Sequence, residues 1–237
     1  MLVTIDGPAG SGKSSVARAV AERLGLANLN TGATYRAVAL VALTEGVSLD
    51  DGVGLAALGE DVELTGDGVS YGGAQIPEDD LRTPEVAAAA SRVSAHPELR
   101  EVLVQRQRAA ARRAQAGGGG GAVVEGRDIG TVVLPDADLK VYLSASPEER
   151  ARRRALQTGR EGELDRIRKA MHTRDKRDSE REASPLKSAP GAVVLDTTGL
   201  SLESVVSQVV ELARERARER ARDEDIGRQD ASPGRMP

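Results

Sequence analysis

The chain opens on LVTID, runs into GPAGSGKS over residues 7–14, and continues as VARAVAERLG, with apolar residues at helical spacing and Gly25 as a stop. A buried strand, G-x-x-x-x-G-K-[ST] and a helix, in that order, form a phosphate-binding loop with its confirming context. Gly7, Gly10 and Gly12 let backbone N–H groups turn inward around phosphate oxygens. Lys13 reaches the β- and γ-phosphates, the Ser14 hydroxyl is placed for Mg²⁺, and the helix N-terminus adds its dipole. The cradle spans Gly7, Pro8, Ala9, Gly10, Ser11, Gly12, Lys13, Ser14 and Ser15.

Such a loop needs a parallel sheet, and the rest of the chain supplies the pattern. NLNTGATYR reads as a turn into a second helix, and a Gly- and Asp-rich stretch, 48–83, holds a hairpin (VELTG, DG, VSYGG). Residues 84–116 read as helical with a restart near Pro97, and five glycines, 117–121, as an unconstrained link. AVVEG and DLKVYLSAS read as strands, PEERARRRALQTGRE and residues 163–182 as charged helices, GAVVLDTTG as a last strand and SLESVVSQVVELA as a last amphipathic helix. The tail from Arg214 can extend that helix through alternating charge, with a disordered end. Strands alternating with helices imply an α/β fold with helices on both faces of a parallel sheet.

Several classes of phosphate-loop protein are set aside. There is no N-K-x-D guanine-reading motif, and Glu125 is the only Walker B reading, without the larger domains of a motor ATPase. Against 33 basic stand 37 acidic residues, a net charge of −4, and Phe and Trp are absent. No nucleic-acid partner is expected from that balance. No cysteine and two histidines argue against thiolate or histidine metal sites. No apolar run is long enough to span a membrane and no signal peptide is read at the N-terminus, so a cytoplasmic protein without a membrane partner is expected. A small-molecule kinase remains, and a kinase needs a site for its acceptor.

Polar residues collect at element ends. Thr31 and Arg36 sit in NTGATYR, Arg127 and Asp128 follow the AVVEG strand, and Arg174, Asp178 and Arg181 share one helix face. Arginines grip phosphate in two-pronged fashion and aspartates accept from sugar or base donors, which suits a nucleoside monophosphate. Other readings stay open at this point: a solvated, salt-bridged face for the helix trio, a mutual ion pair for Arg127 and Asp128, and a helix cap for Thr31.

IDGPAGSGKSSVARAVAERLG, NTGATYRAVAL, LRTPEVAAAASRVSAHPELREVLVQRQR, VVEGRDIGTVVLPDADLKVYLSASPEERARRR and RDKRDSERE with SPLKSA and VVLDTTGLSLESVV together resemble the bacterial cytidylate kinases, from residue 2 to about 213. The combination of TGATYR, EGRDIGTVV and RDxxDSxRxxSPL carries the resemblance more than the phosphate loop does. It implies a three-layer α/β/α phosphate-loop core over residues 1–45 and 99–213, an acceptor-binding insertion over 46–98, a short helical lid near 148–165 and a charged, partly disordered tail, 214–237. It implies transfer of the ATP γ-phosphoryl to CMP or dCMP with Mg²⁺, by a monomer. Thr31, Arg36, Arg127 and Arg181 would hold the acceptor phosphate or lie close to it. Ser91, Arg100 and Asp128 would read cytosine, and Arg174 and Asp178 would face the pentose. Arg150 to Arg154 would approach the phosphates from the lid. Lys13, Arg127, Arg154 and Arg181 are the expected catalytic set, and Ser14 the expected metal contact. A kinase for UMP, AMP or shikimate, or a non-catalytic nucleotide switch, are the rival readings. YGGAQIPEDD, residues 71–80, departs from the family's insertion sequence.

Overall fold

The computed structural model describes residues 1–66, 68–180 and 184–230. Its centre is a five-stranded, fully parallel sheet built from β1 (Leu2–Asp6), β2 (Ala27–Asn30), β6 (Ala122–Gly126), β7 (Leu139–Ser144) and β8 (Val193–Asp196). The order across the sheet is β2-β6-β1-β7-β8. The fold class read from the sequence is therefore observed. β1 lies in the middle and is buried on both faces, which suits Leu2, Val3 and Ile5, while Thr4 and Asp6 are polar side chains buried with them. Val3 and Ile5 pack with Val16 and Val20 of α1 (Lys13–Leu24) and Val205, Val206 and Val209 of α8 (Leu202–Asp230). The other face is covered by α5 (Pro97–Ala116), whose Ala110 and Ala111 meet Leu29, Ala122 and Val124.

Parallel pairing aligns the strand ends. Asp6 is opposite Gly126 on one side and Tyr142 on the other, and Asn30 is opposite Glu125. The phosphate loop, the β6 exit and the start of α2 (Thr31–Glu45) thus emerge from one carboxyl edge, where ligands bind in open α/β sheets.

Between α2 and α5 the chain forms α3 (Gly52–Glu60), a small antiparallel sheet of β3 (Val62–Thr65), β4 (Gly68–Tyr71) and β5 (Ala74–Gln75), and α4 (Pro84–Val93). These share a second core in which Leu55, Val62, Val69, Val86 and Leu99 are buried against Ala37 and Val38 of α2. Thr83 caps α4 by accepting the Val86 N–H at 3.2 Å, with Pro84 in the first turn. After β7 come α6 (Pro147–Thr158), a 3₁₀ turn (Glu161–Glu163) and α7 (Leu164–Glu180). Their own core is small: Ala151, Ala155 and Ile167, with Met171 packed alongside.

Two local readings change, and the expected extension of the last helix is observed. The start of NLNTGATYR is not a turn but β2, a four-residue edge strand with only Leu29 fully buried, too short and polar to show a strand pattern. The glycine run is not unconstrained at its end. Gly121 lies at φ 143°, its carbonyl accepts from Ala27 N at 3.1 Å, and a Cβ there would strike the Met1 backbone. The last helix continues to Asp230, past the point where its apolar face ends at Ala213. Arg216–Glu219 and Arg218–Glu211 pairs line the extension, and Arg220 pairs with Asp138 of the loop before β7. The expected disordered end, 231–237, lies outside the described residues.

Candidate active site

The loop's conformation depends on glycine at two contacts. Gly7 is at φ 148°, and a Cβ on it would run into the Leu143 carbonyl of β7. Gly10 is at φ 73°, where a Cβ would stand 2.8 Å from the Arg150 carbonyl oxygen and 2.7 Å from Met171 Cε. Lys13 opens α1 and is 7% exposed, with its Nζ donating to the Pro8 carbonyl at 2.7 Å. Burial pushes its ammonium well below the usual lysine range, Arg127 adds to this, and Glu125 opposes it. Phosphate is the counter-charge this environment favours. The Ser14 hydroxyl donates to Glu125 Oε2 at 2.8 Å. A hydroxyl and a carboxylate, both hard oxygen ligands, fit Mg²⁺ that is otherwise held by substrate phosphates and water.

The β6 exit is fastened from both sides. The Thr31 hydroxyl donates to the Glu125 carbonyl at 2.7 Å rather than capping its own helix. Asp6, at the end of β1, accepts Ile129 N–H at 2.9 Å and Gly130 N–H at 2.8 Å, anchoring the single π turn (Ile129–Val133) that follows Asp128. Burial pushes the Asp6 carboxyl up to about 6, against the two amide donors, with Asp128 adding to the rise. A carboxyl titrating above its unfolded value of about 3.9 holds protons that the unfolded chain has released. Its contribution to stability is complete below about pH 4 and is lost as pH rises to about 6. In urea unfolding, the stability difference between the wild type and Asp6→Asn should shrink across that window and stay flat above it.

Arg127 and Asp128 do not pair with each other. Arg127 Nε donates to Asp178 Oδ2 at 2.9 Å and a terminal nitrogen donates to the Gly7 carbonyl at 2.9 Å. Asp128 pairs with Arg100 of α5, the two side chains being 8% and 5% exposed, and Arg100 lies 5.6 Å over the Tyr35 ring. One residue therefore faces the phosphate loop and its neighbour a buried ion pair with α5. Ser91, buried on α4, accepts from Arg177 of α7 at 2.8 Å.

Asp178 is buried and faces the cleft with Arg174, whose Nε is 4.0 Å away, so this part of α7 is not a solvated face. The buried Nε atoms of Arg36 and Arg174 make no hydrogen bond among the described residues, and burial holds both guanidinium groups below their usual range. Arg127 is the next cause for Arg174, so positive charge is concentrated there. Arg181 lies outside the described residues. Arg154 bonds Gln157 on its own helix at 2.9 Å, whereas Arg150 reaches the loop at the Ala9 carbonyl, 3.1 Å away. Sequence reasoning passed over Asp6, Asp175 and Arg177. Asp6 alone had a local signal, an acid at the last position of a buried strand.

A family model described as cytidylate kinase matches residues 3–215. A cytidylate kinase of Desulfitobacterium hafniense is 43% identical over 89% of this chain and 91% of its own length. One from Geobacter sulfurreducens is 44% identical over 90% and 93%. A bifunctional pantoate ligase/cytidylate kinase of Synechococcus is 46% identical over 90% of this chain but 40% of its own length. Among solved structures, an uncharacterized protein from Eubacterium ventriosum superposes with a TM-score of 0.51 at 13% identity, over 91% of this chain and 98% of that one, a likeness of fold alone. Phosphate loop, β6 exit and α7 motif fall inside one continuous match, and the chain belongs to the cytidylate kinase family.

Proposed function

We propose that the chain transfers the γ-phosphoryl group of ATP to CMP or dCMP, giving CDP or dCDP, in pyrimidine nucleotide metabolism. The observation that carries this reading is the split of Arg127 and Asp128: a guanidinium against the phosphate loop, and a carboxylate held in a buried ion pair with Arg100. That arrangement supports an acceptor whose phosphate lies toward Gly7 and whose base lies toward α5. Thr31, Arg36, Arg174 and Arg181 would complete the acceptor phosphate and pentose contacts, and Ser91 the base contacts. Residues 46–98 would close over the acceptor, and residues 148–165 over the donor.

The acceptor phosphate is already ionised, so the residues act mainly by positioning and by neutralising charge. Lys13 and Arg127 stabilise charge on the transferring group, with Arg154 and Arg181 approaching on lid closure. Closure excludes water and limits ATP hydrolysis. Ser14, with Glu125 accepting from its hydroxyl, would hold Mg²⁺, which would supply charge neutralisation to the substrate phosphates. Glu125→Gln should raise the Mg²⁺ concentration giving half-maximal rate by about tenfold, measured by Mg²⁺ titration at saturating ATP.

We infer a cytoplasmic monomer: a single chain brings the proposed donor and acceptor residues to one edge, so the proposed site needs no second copy. Among the described residues no helix is long and apolar enough to cross a membrane. The reading is tested by ADP release from ATP with CMP, dCMP, UMP, AMP and shikimate in parallel. Turnover with CMP and dCMP alone is expected. Turnover with another acceptor would retain the phosphate-loop argument and sink the base-reading roles of Ser91, Arg100 and Asp128.

A further inference from the structure

Both helices that follow β7 take hold of the phosphate loop at the same residue. Arg150 of α6 donates to the Ala9 carbonyl at 3.1 Å and pairs with Asp175 of α7. Asp175 Oδ1 accepts the Ala9 N–H at 3.1 Å. The N–H and C=O of one loop residue are thus held by a charge pair whose side chains are 13% and 15% exposed. Arg150 Nε also donates to the Ala145 carbonyl at 3.1 Å, which fixes the guanidinium to the exit of β7. The Gly10 contact with the Arg150 carbonyl and Met171 shows the same close approach independently.

A cradle of backbone amides works only if its shape is set before the phosphates arrive. Charge-assisted hydrogen bonds in a largely dry site are strong enough to set it. We propose that Arg150 and Asp175 are a positioning pair: together they fix the third position of the phosphate loop for ATP. The pair acts through Ala9 and not by touching the acceptor. The inference rests on the kinase reading and concerns residues to which that reading gives no such role.

The test uses the full chain with Arg150→Ala, Asp175→Ala, the double variant, Asp175→Asn and Arg150→Lys. Mg²⁺-ATP affinity is measured calorimetrically without acceptor, alongside KM for ATP and CMP and the Tm. Each alanine variant should bind ATP about tenfold more weakly, with KM for CMP changed by less than about twofold. The double variant should be no weaker than the worse single one, because the two side chains act as a unit. Asp175→Asn keeps an acceptor for the Ala9 N–H but no charge for Arg150, and should fall in between, as should Arg150→Lys. Unchanged ATP affinity in folded variants, additive losses, or an equal rise in both KM values would overturn the proposal. Should the alanine variants not fold, the Asn and Lys variants decide by the same criteria. The binding readout needs no turnover, so an inactive wild type would count against the acceptor assignment and not against the pair.

Discussion

Lys13→Met should lower kcat/KM by about 10³-fold or more while leaving the Tm of the protein without nucleotide unchanged or slightly higher. The two halves of that result have one origin. The Lys13 ammonium is buried, with Arg127 and Arg174 nearby, and its pKa is displaced downward in consequence. Replacing it with a chain of similar length and no charge removes a desolvated cation that its surroundings tolerate poorly. The same replacement removes the group that meets the β- and γ-phosphates. Mg²⁺-ATP should therefore raise the Tm of the variant far less than that of the wild type, as thermal melts with and without nucleotide would show. Retention of more than about a tenth of wild-type turnover would be incompatible with the charge neutralisation assigned to Lys13.

Arg127→Ala should cut kcat/KM for CMP by about 10²-fold or more and lower stability by about 1–3 kcal/mol. Its guanidinium ties the Gly7 carbonyl to the buried Asp178 carboxylate, a link that Arg174, 4.0 Å from Asp178, does not make. Arg127→Lys should recover little, since an ammonium cannot serve both directions of the planar fork. Steady-state kinetics with CMP and ATP varied in turn, beside urea unfolding, separates the two effects. Unchanged kcat/KM in a folded Arg127→Ala variant would refute the role.

What could be read from the chain was what is local. The phosphate loop announces itself within eight residues, and the alternation of apolar strands with amphipathic helices fixes the layers. β2 stayed hidden because ANLN acquires its strand character only by pairing with β6, more than ninety residues away in sequence. Pairings across the cleft were hidden for the same reason. Nothing in RDIG tells that Arg127 turns to Asp178 while Asp128 turns to Arg100, and Arg177 and Asp175 look like two more charges on a polar helix until their partners Ser91 and Ala9 arrive from distant elements. Ser91 and Arg100 stood out only through family resemblance, since a serine and an arginine on alanine-rich and charged helices carry no pattern of their own. Nor does the run of lid arginines tell that Arg150 is the one whose guanidinium bonds the loop while Arg154 bonds Gln157 on its own helix.

The strand order has a consequence for synthesis. The first strand made, β1, is the central one, yet Leu2 waits for Ala122 and Val3 for Leu139. At roughly 5–20 residues per second on a ribosome, the nascent phosphate loop spends on the order of ten seconds attached to a strand with neither neighbour. Long-range parallel pairing of this kind is also slow to nucleate. The newborn β1 is thus a strand without either of its neighbours while the hundred or so residues up to β6 are made.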